Sequence, residues 1–210
     1  MCGLIAISWK NVRPSKTTLN YAIEMLADRG KDAWGIAIGE NTTSTVDYFL
    51  KQPTKINLRK SKKLVYEAIK NSTPDGWLLL HSRLATDGYS GLFDHNHPVE
   101  HKNVYLIHNG LVVKWPNSAK NLISETKTDT QNLARIVQSA KPSELESILN
   151  EIVGEVSIVW QNLTTKTMKI YTNVGGLYLE KIQDQTLVSS EPLSIRTAAI
   201  KTKTKRVINL

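Results

Sequence analysis

Strand-like and helix-like runs follow one another here without strict alternation, and that ordering constrains the fold more than any other feature. Leu4 to Trp9 is apolar and rich in β-branched residues, which predicts a buried strand. Leu19, Ile23 and Leu26 recur at helical spacing up to Asp28-Arg29-Gly30, where glycine is expected to supply a turn. Trp34 to Ile38 and Thr45 to Leu50 predict paired strands about the polar turn Glu40-Asn41-Thr42. Lys62 to Ile69 predicts a basic amphipathic helix that ends before Pro74-Asp75-Gly76. Trp77 to His81 and Val104 to His108 are two further strands, flanking a long polar loop that contains Gly88, Gly91 and Pro98. Loops of that length in a compact domain are commonly functional. Thr128 with Gln131, and Ser143 with Glu146, form capping-box patterns ahead of helices through about Val137 and Ile152. Val156 to Trp160, Met168 to Thr172, Leu177 to Ile182 and Thr186 to Ser189 complete the series as short strands. Segregated strand and helix runs argue for an α+β domain whose sheets are covered by helices. With no repeat and no linker, residues 1–210 are expected to form one domain, with 200–210 as a peripheral tail.

Composition narrows the function classes. A single cysteine excludes an intramolecular disulfide and fits a reducing cytoplasm. The N-terminal apolar stretch is short, lacks a preceding basic region and meets Trp9 and Lys10 at once, unlike a secretory signal. No run approaches membrane-spanning length. The net charge of +8 raises nucleic acid as a partner, but the charge is concentrated in Lys51 to Lys63 and in the tail. No aromatic residues are interleaved with it, so a solvated basic face is the expected reading and nucleic-acid binding is not.

The chemistry gathers at particular positions. Cys2 is the only cysteine, and the methionine before so small a residue is readily trimmed. The thiol and a free α-amino group would then share one carbon, the amine titrating near roughly pH 7.7–8.0 and able to take the thiol proton. Arg83 and Thr86, just after one predicted strand, offer a planar fork and a hydroxyl for a carboxylate. Asn109 and Gly110, just after another, offer a side-chain amide and an unobstructed backbone N–H, the two donors of an oxyanion hole. Asp129, in the first turn of its helix, supplies a carboxylate for an ammonium group. These parts suit a substrate with a carboxylate, an ammonium and a carbonyl, as in glutamine. Each also has a structural alternative: Cys2 as a buried strand residue, Arg83 as an ion-pair partner, Asn109-Gly110 as a turn, Asp129 as a complement to the helix dipole. His95, His97 and His101 offer imidazoles for a metal, but their spacing is loose and no metal site is expected.

In combination these residues resemble a known family. Met1-Cys2-Gly3-Leu4-Ile5 and Arg29-Gly30-Lys31-Asp32-Ala33-Trp34-Gly35 are similar to opening motifs of class II glutamine amidotransferase (glutaminase) domains, of the N-terminal-nucleophile (Ntn) hydrolase superfamily. His81-Ser82-Arg83-Leu84-Ala85-Thr86, His97-Pro98, His108-Asn109-Gly110, Thr128-Asp129-Thr130 and Ser190-Glu191-Pro192 continue that resemblance in order, from Cys2 to about Ser194. The resemblance implies a four-layer αββα sandwich of two antiparallel sheets covered by helices. It implies that Cys2 attacks the glutamine side-chain amide, Asn109 and Gly110 stabilise the oxyanion, Arg83 and Thr86 bind the α-carboxylate, Asp129 binds the α-ammonium, and Arg29 supports the nucleophile. No cofactor is implied. The ammonia would pass to a separate acceptor enzyme, since 210 residues leave no room for a synthase domain. A γ-glutamyl amide other than glutamine, or an idle basic binding module, are the alternatives. Leu84 and Asp87 stand where sugar-phosphate aminating members carry tryptophan and histidine, and His95-Asn96-His97-Pro98 departs from the commoner Asn-x-His-Pro order.

Overall fold

The computed structural model describes residues 2–43, 45–85, 88–192, 200–201 and 205–210. Its elements in order are β1 (Gly3–Trp9), α1 (Lys16–Arg29), β2 (Ala33–Glu40), β3 (Val46–Gln52), α2 (Leu58–Asn71), β4 (Gly76–Arg83), β5 (Val99–His101) and β6 (Val104–Lys114). They continue with α3 (Asp129–Ser139), α4 (Pro142–Glu151), β7 (Val153–Asn162), β8 (Thr167–Thr172), β9 (Tyr178–Ile182), β10 (Gln185–Ser189), β11 (Ile200–Lys201) and β12 (Ile208–Asn209). Among the described residues the strands form two antiparallel sheets, ordered β11-β9-β10-β1-β4-β2-β3 and β12-β8-β7-β6-β5.

Period-two alternation sorts the side chains into three buried layers. Ile5, Ile7 and Trp9 of β1 and Leu78 and Leu80 of β4 face Leu19, Ile23 and Leu26 of α1 and Val65 and Ile69 of α2. Leu4, Ala6, Trp77 and Leu79, on the opposite faces of the same strands, meet Tyr105, Ile107, Val159 and Ile170 of the second sheet. Leu106, Val156, Ile158 and Trp160 turn outward onto Leu133 and Ile136 of α3 and Ile148 and Leu149 of α4. The result is an αββα sandwich, as the family resemblance implies. No described helix is long and apolar enough to cross a membrane.

Several elements depart from the sequence expectations. α2 begins at Leu58, because the Asn57 side chain caps it by accepting from the Lys60 amide at 3.1 Å. β4 runs on through Ser82 and Arg83, and β6 through Asn109 and Gly110 to Lys114. The residues expected in loops after strands are therefore strand residues, paired in register as Ser82 with Gly3 and Asn109 with Ser157. Gly30 does end α1, but at an ordinary φ of −98°. Its role is spatial: a Cβ there would stand 2.3 Å from the Ser82 carbonyl carbon. Lys51 leaves the expected solvated basic face altogether and is only 6% exposed, whereas Lys55, Arg59, Lys60 and Lys63 are on the surface. The described parts of the terminal segment lie on the outer edges of the two sheets, β11 beside β9 and β12 beside β8.

Candidate active site

The alternation that builds the inter-sheet core also places the polar residues of interest. Leu4 and Ala6 face the other sheet, so Cys2, two residues earlier, continues the same row. His81 and Arg83 continue the row of Trp77 and Leu79, and Asn109 continues that of Tyr105 and Ile107. At one end of the sandwich the apolar side chains give way to polar ones, and the two sheets meet there around Cys2.

Cys2 is half-buried and held at several atoms. Its carbonyl accepts from Arg29 Nε at 2.7 Å and from Asn109 Nδ2 at 3.3 Å. Its Sγ lies 3.3 Å from both the backbone N and the backbone O of Leu84. Arg29 also pairs through Nη1 with Glu191. The segment carrying Glu191 is tied to β1, since Ser190 N donates to Leu4 O at 2.9 Å and Leu4 N donates to Ser190 Oγ at 3.0 Å. Asp32 steadies the chain after β4: its N–H donates to Arg83 O at 3.0 Å and its Oδ2 accepts from Ala85 N at 2.8 Å. Burial pushes the Cys2 thiol up, opposed by the Leu84 backbone contact and by the Arg83 and Arg29 charges. A thiol so placed keeps its proton at rest and needs a base at the moment of attack.

A pocket of about 290 Å³, part of it open to solvent, lies against Cys2 and Arg83, with His95, Gly110, Thr128 and Asp129 among its other walls. Arg83 is 4% exposed, and its Nη1 donates to Asn96 Oδ1 at 3.0 Å. Asn96 is itself fixed, donating from Nδ2 to Ser90 O at 2.6 Å. Asp129 opens α3, where the Thr128–Gln131 capping box is complete. Its Oδ1 accepts from Thr130 N at 2.6 Å, and its Oδ2 accepts from Val112 N at 3.4 Å and lies 3.7 Å from His108 Nδ1. The carboxylate thus serves the helix start and β6 while also lining the pocket. Gly110 sits at φ +130°, a conformation open to glycine, and a Cβ there would lie 1.9 Å from Glu155 O. Thr86 lies outside the described residues.

Behind Cys2 is a cluster of His81, His97 and His108; sequence reasoning weighed only His97 of these, as a metal ligand, and gave none of them a role behind Cys2. His81 is fully buried, with Nε2 3.0 Å from His108 O, 3.2 Å from Asn109 Oδ1 and 3.1 Å from His97 Nδ1. A carbonyl oxygen only accepts, so His81 carries its proton on Nε2. The same N–H is within reach of Asn109 Oδ1 at 3.2 Å, and Asn109 Nδ2 donates to the Cys2 carbonyl. Burial lowers the His81 pKa to about 3 and holds His97 well below the usual histidine range, so both rings are neutral near pH 7. The signal available in the sequence was the two-residue spacing of His81 and Arg83 on one strand face. The three histidines weighed as metal ligands stand apart in role. His95 Nδ1 accepts from Tyr89 N at 3.0 Å, the His97 ring lies 4.1 Å from that of His81, and His101 lines a different cleft.

The structure therefore gathers Cys2, Arg83, Gly110 and Asp129 around one pocket and brings Arg29 and Asn109 onto the Cys2 carbonyl. No family model matches the chain. Among curated proteins it is 27% identical over 212 residues to a glutamine–fructose-6-phosphate aminotransferase (isomerizing) of Buchnera aphidicola, covering 93% of this chain and 33% of that protein. It is 30% identical over 150 residues to the enzyme of that name from Bartonella quintana, covering 69% of this chain and 23% of that one. The chain thus spans about a third or less of the length of these relatives. Among solved structures, a glutamine phosphoribosylpyrophosphate amidotransferase from B. subtilis superposes with a TM-score of 0.62 at 19% identity, over 90% of this chain and 42% of that one, which shows the shared fold. With its ordered motifs and these curated relatives, the chain belongs to the class II glutamine amidotransferase domains of the N-terminal-nucleophile hydrolase superfamily.

Proposed function

We propose that this domain hydrolyses L-glutamine to glutamate and ammonia through a thioester on Cys2, and that the ammonia is used by an acceptor enzyme on a separate subunit. The observation that carries the reading is the placement of Cys2: its carbonyl is held by Arg29 and Asn109, and the residue borders a pocket walled by Arg83, Gly110 and Asp129. Removal of whatever precedes Cys2 frees its α-amino group to act as the base. That amine takes the thiol proton as Sγ bonds to the side-chain carbonyl carbon of glutamine, and the carbonyl oxygen becomes an oxyanion. Asn109 Nδ2 and Gly110 N–H stabilise it, each donor contributing about 3 kcal/mol by analogy with known oxyanion holes. The C–N bond then breaks, and the ammonium returns its proton to the departing nitrogen, releasing ammonia. Water adds to the thioester with the same amine as base, a second oxyanion collapses, and glutamate leaves as the thiol regains its proton.

Arg83 receives the α-carboxylate, with Thr86 as the expected second contact, and Asp129 receives the α-ammonium. Asn96 and Thr130 hold these two charged groups in place.

The test is the intact mass of purified protein after exposure to diazo-oxo-norleucine, a glutamine-mimicking electrophile, alongside Cys2→Ala and a glutamine hydrolysis assay. The expected result is a chain beginning at Cys2 that takes one adduct, protected by glutamine and absent from the variant. A chain beginning at Cys2 that neither takes the adduct nor hydrolyses glutamine would refute the reading. Equal turnover of unrelated γ-glutamyl amides would refute glutamine as the substrate.

A further inference from the structure

A second cleft adjoins the pocket at Cys2, and the short 3-10 turn Phe93–His95 serves both. His95 lines the first, whereas Phe93 and Asp94 line the second. The second cleft spans about 600 Å³, part of it open solvent, and is walled by Phe49, Lys51, Phe93, Glu100, Lys127 and Arg135. Its most unusual member is Lys51 of β3, only 6% exposed. The Lys51 ammonium lies 4.6 Å from the Phe93 ring centre and 5.2 Å from that of Phe49, and it donates to Phe93 O at 3.3 Å. Among the described residues no carboxylate forms an ion pair with it.

Withdrawing an ammonium from water costs several kcal/mol, and two aromatic faces with one long hydrogen bond offset only part of that. An ammonium has three donors, and the bond to Phe93 O leaves it capacity for an acceptor from the cleft. Burial lowers the Lys51 pKa to about 8, so the group is still cationic near pH 7. Lys127 and Arg135 add positive charge to the same cleft, and Arg135 is anchored through Nε on Leu122 O at 2.9 Å. The opposing acids are Asp94 and Glu100, and Glu100 is already engaged by the Tyr105 hydroxyl at 2.6 Å. Phe93 is 54% exposed, so its ring presents an uncovered apolar surface beside the cationic floor.

We propose that this cleft is a binding site for a small organic phosphate, with the phosphate on Lys51, Arg135 and Lys127 and the body of the molecule covering Phe93. Three cations in one cleft suit a doubly charged phosphate better than a single carboxylate, and the guanidinium adds a planar donor edge. The site is distinct from the glutamine pocket, so it stands or falls independently of the reaction proposed above.

Isothermal titration of the full chain with phenyl phosphate, and separately with benzoate, tests it. Saturable phenyl phosphate binding in the low-millimolar range or tighter is expected, with benzoate weaker by about tenfold or more. Lys51→Met, an unbranched side chain one atom shorter and without the charge, should weaken phenyl phosphate binding by about tenfold or more. The pair Lys127→Gln and Arg135→Gln, at positions less buried than Lys51, should weaken it as well, and decides the matter if the Lys51 variant fails to fold. Absence of saturable binding to the wild-type chain, equal affinity for benzoate, or unchanged affinity in the folded variants would each overturn the proposal.

Discussion

Acid should destabilise this protein through His81 in particular. The ring is fully buried, and burial lowers its pKa from 6.5 to about 3, against hydrogen bonds to His108 O and Asn109 Oδ1 that act in the opposite direction. Below pH 6.5 the unfolded chain takes up a proton that the folded chain refuses, so stability falls as pH drops from 6.5 toward 3 and is fully present above 6.5. Each pH unit in that window removes about 1.4 kcal/mol, which amounts to about 3 kcal/mol by pH 4.5 and about 5 kcal/mol at the limit. His81→Gln keeps an N–H donor near Nε2 but cannot titrate. Urea denaturation of both proteins at steps between pH 7.5 and pH 4.5 measures the difference directly. His97 also resists protonation, so both proteins should lose stability in acid, but the wild type should lose about 3 kcal/mol more by pH 4.5. Parallel pH profiles for the two proteins would refute the reasoning, because they would mean that His81 is protonated as readily in the folded state as in the unfolded.

Two other substitutions probe the scaffold around Cys2. Gly30→Ala should destabilise the fold by about 3 kcal/mol in chemical denaturation although φ −98° is comfortable for alanine, because the added Cβ meets β4 backbone at 2.3 Å; a neutral effect would show that α1 can shift away from β4. Arg29→Lys should slow diazo-oxo-norleucine labelling of Cys2 by about tenfold or more while lowering thermal stability only modestly, since a point charge cannot serve the Cys2 carbonyl and Glu191 together; an unchanged labelling rate would remove Arg29 from the site.

Local pattern made much of this protein legible. β1 and α1 follow from apolar periodicity, and the start of α3 follows from the Thr128–Gln131 cap, because each depends on residues within one or two turns of one another. Where strands continued into polar residues, the same reasoning stopped early. Ser82 and Arg83 are in β4, and Asn109 and Gly110 in β6, because neighbouring strands pair with them, a fact with no local signature. The three-residue strand Val99–His101 is likewise created by its partner β6.

By itself the sequence determined the α+β class, pointed to the family and named candidate residues for chemistry at Cys2, since those rest on residue types and their order along the chain. Only the tertiary structure decided that Arg29 and Asn109, far apart in sequence, both hold the Cys2 carbonyl, and that His81 lies against the Asn109 amide. It likewise decided that Lys51 leaves a basic surface run to lie between Phe49 and Phe93. The physical reason is common to all three: hydrogen-bond direction and the burial of a charge depend on which sheet faces pack together, and that packing joins residues whose separation along the chain carries no signal.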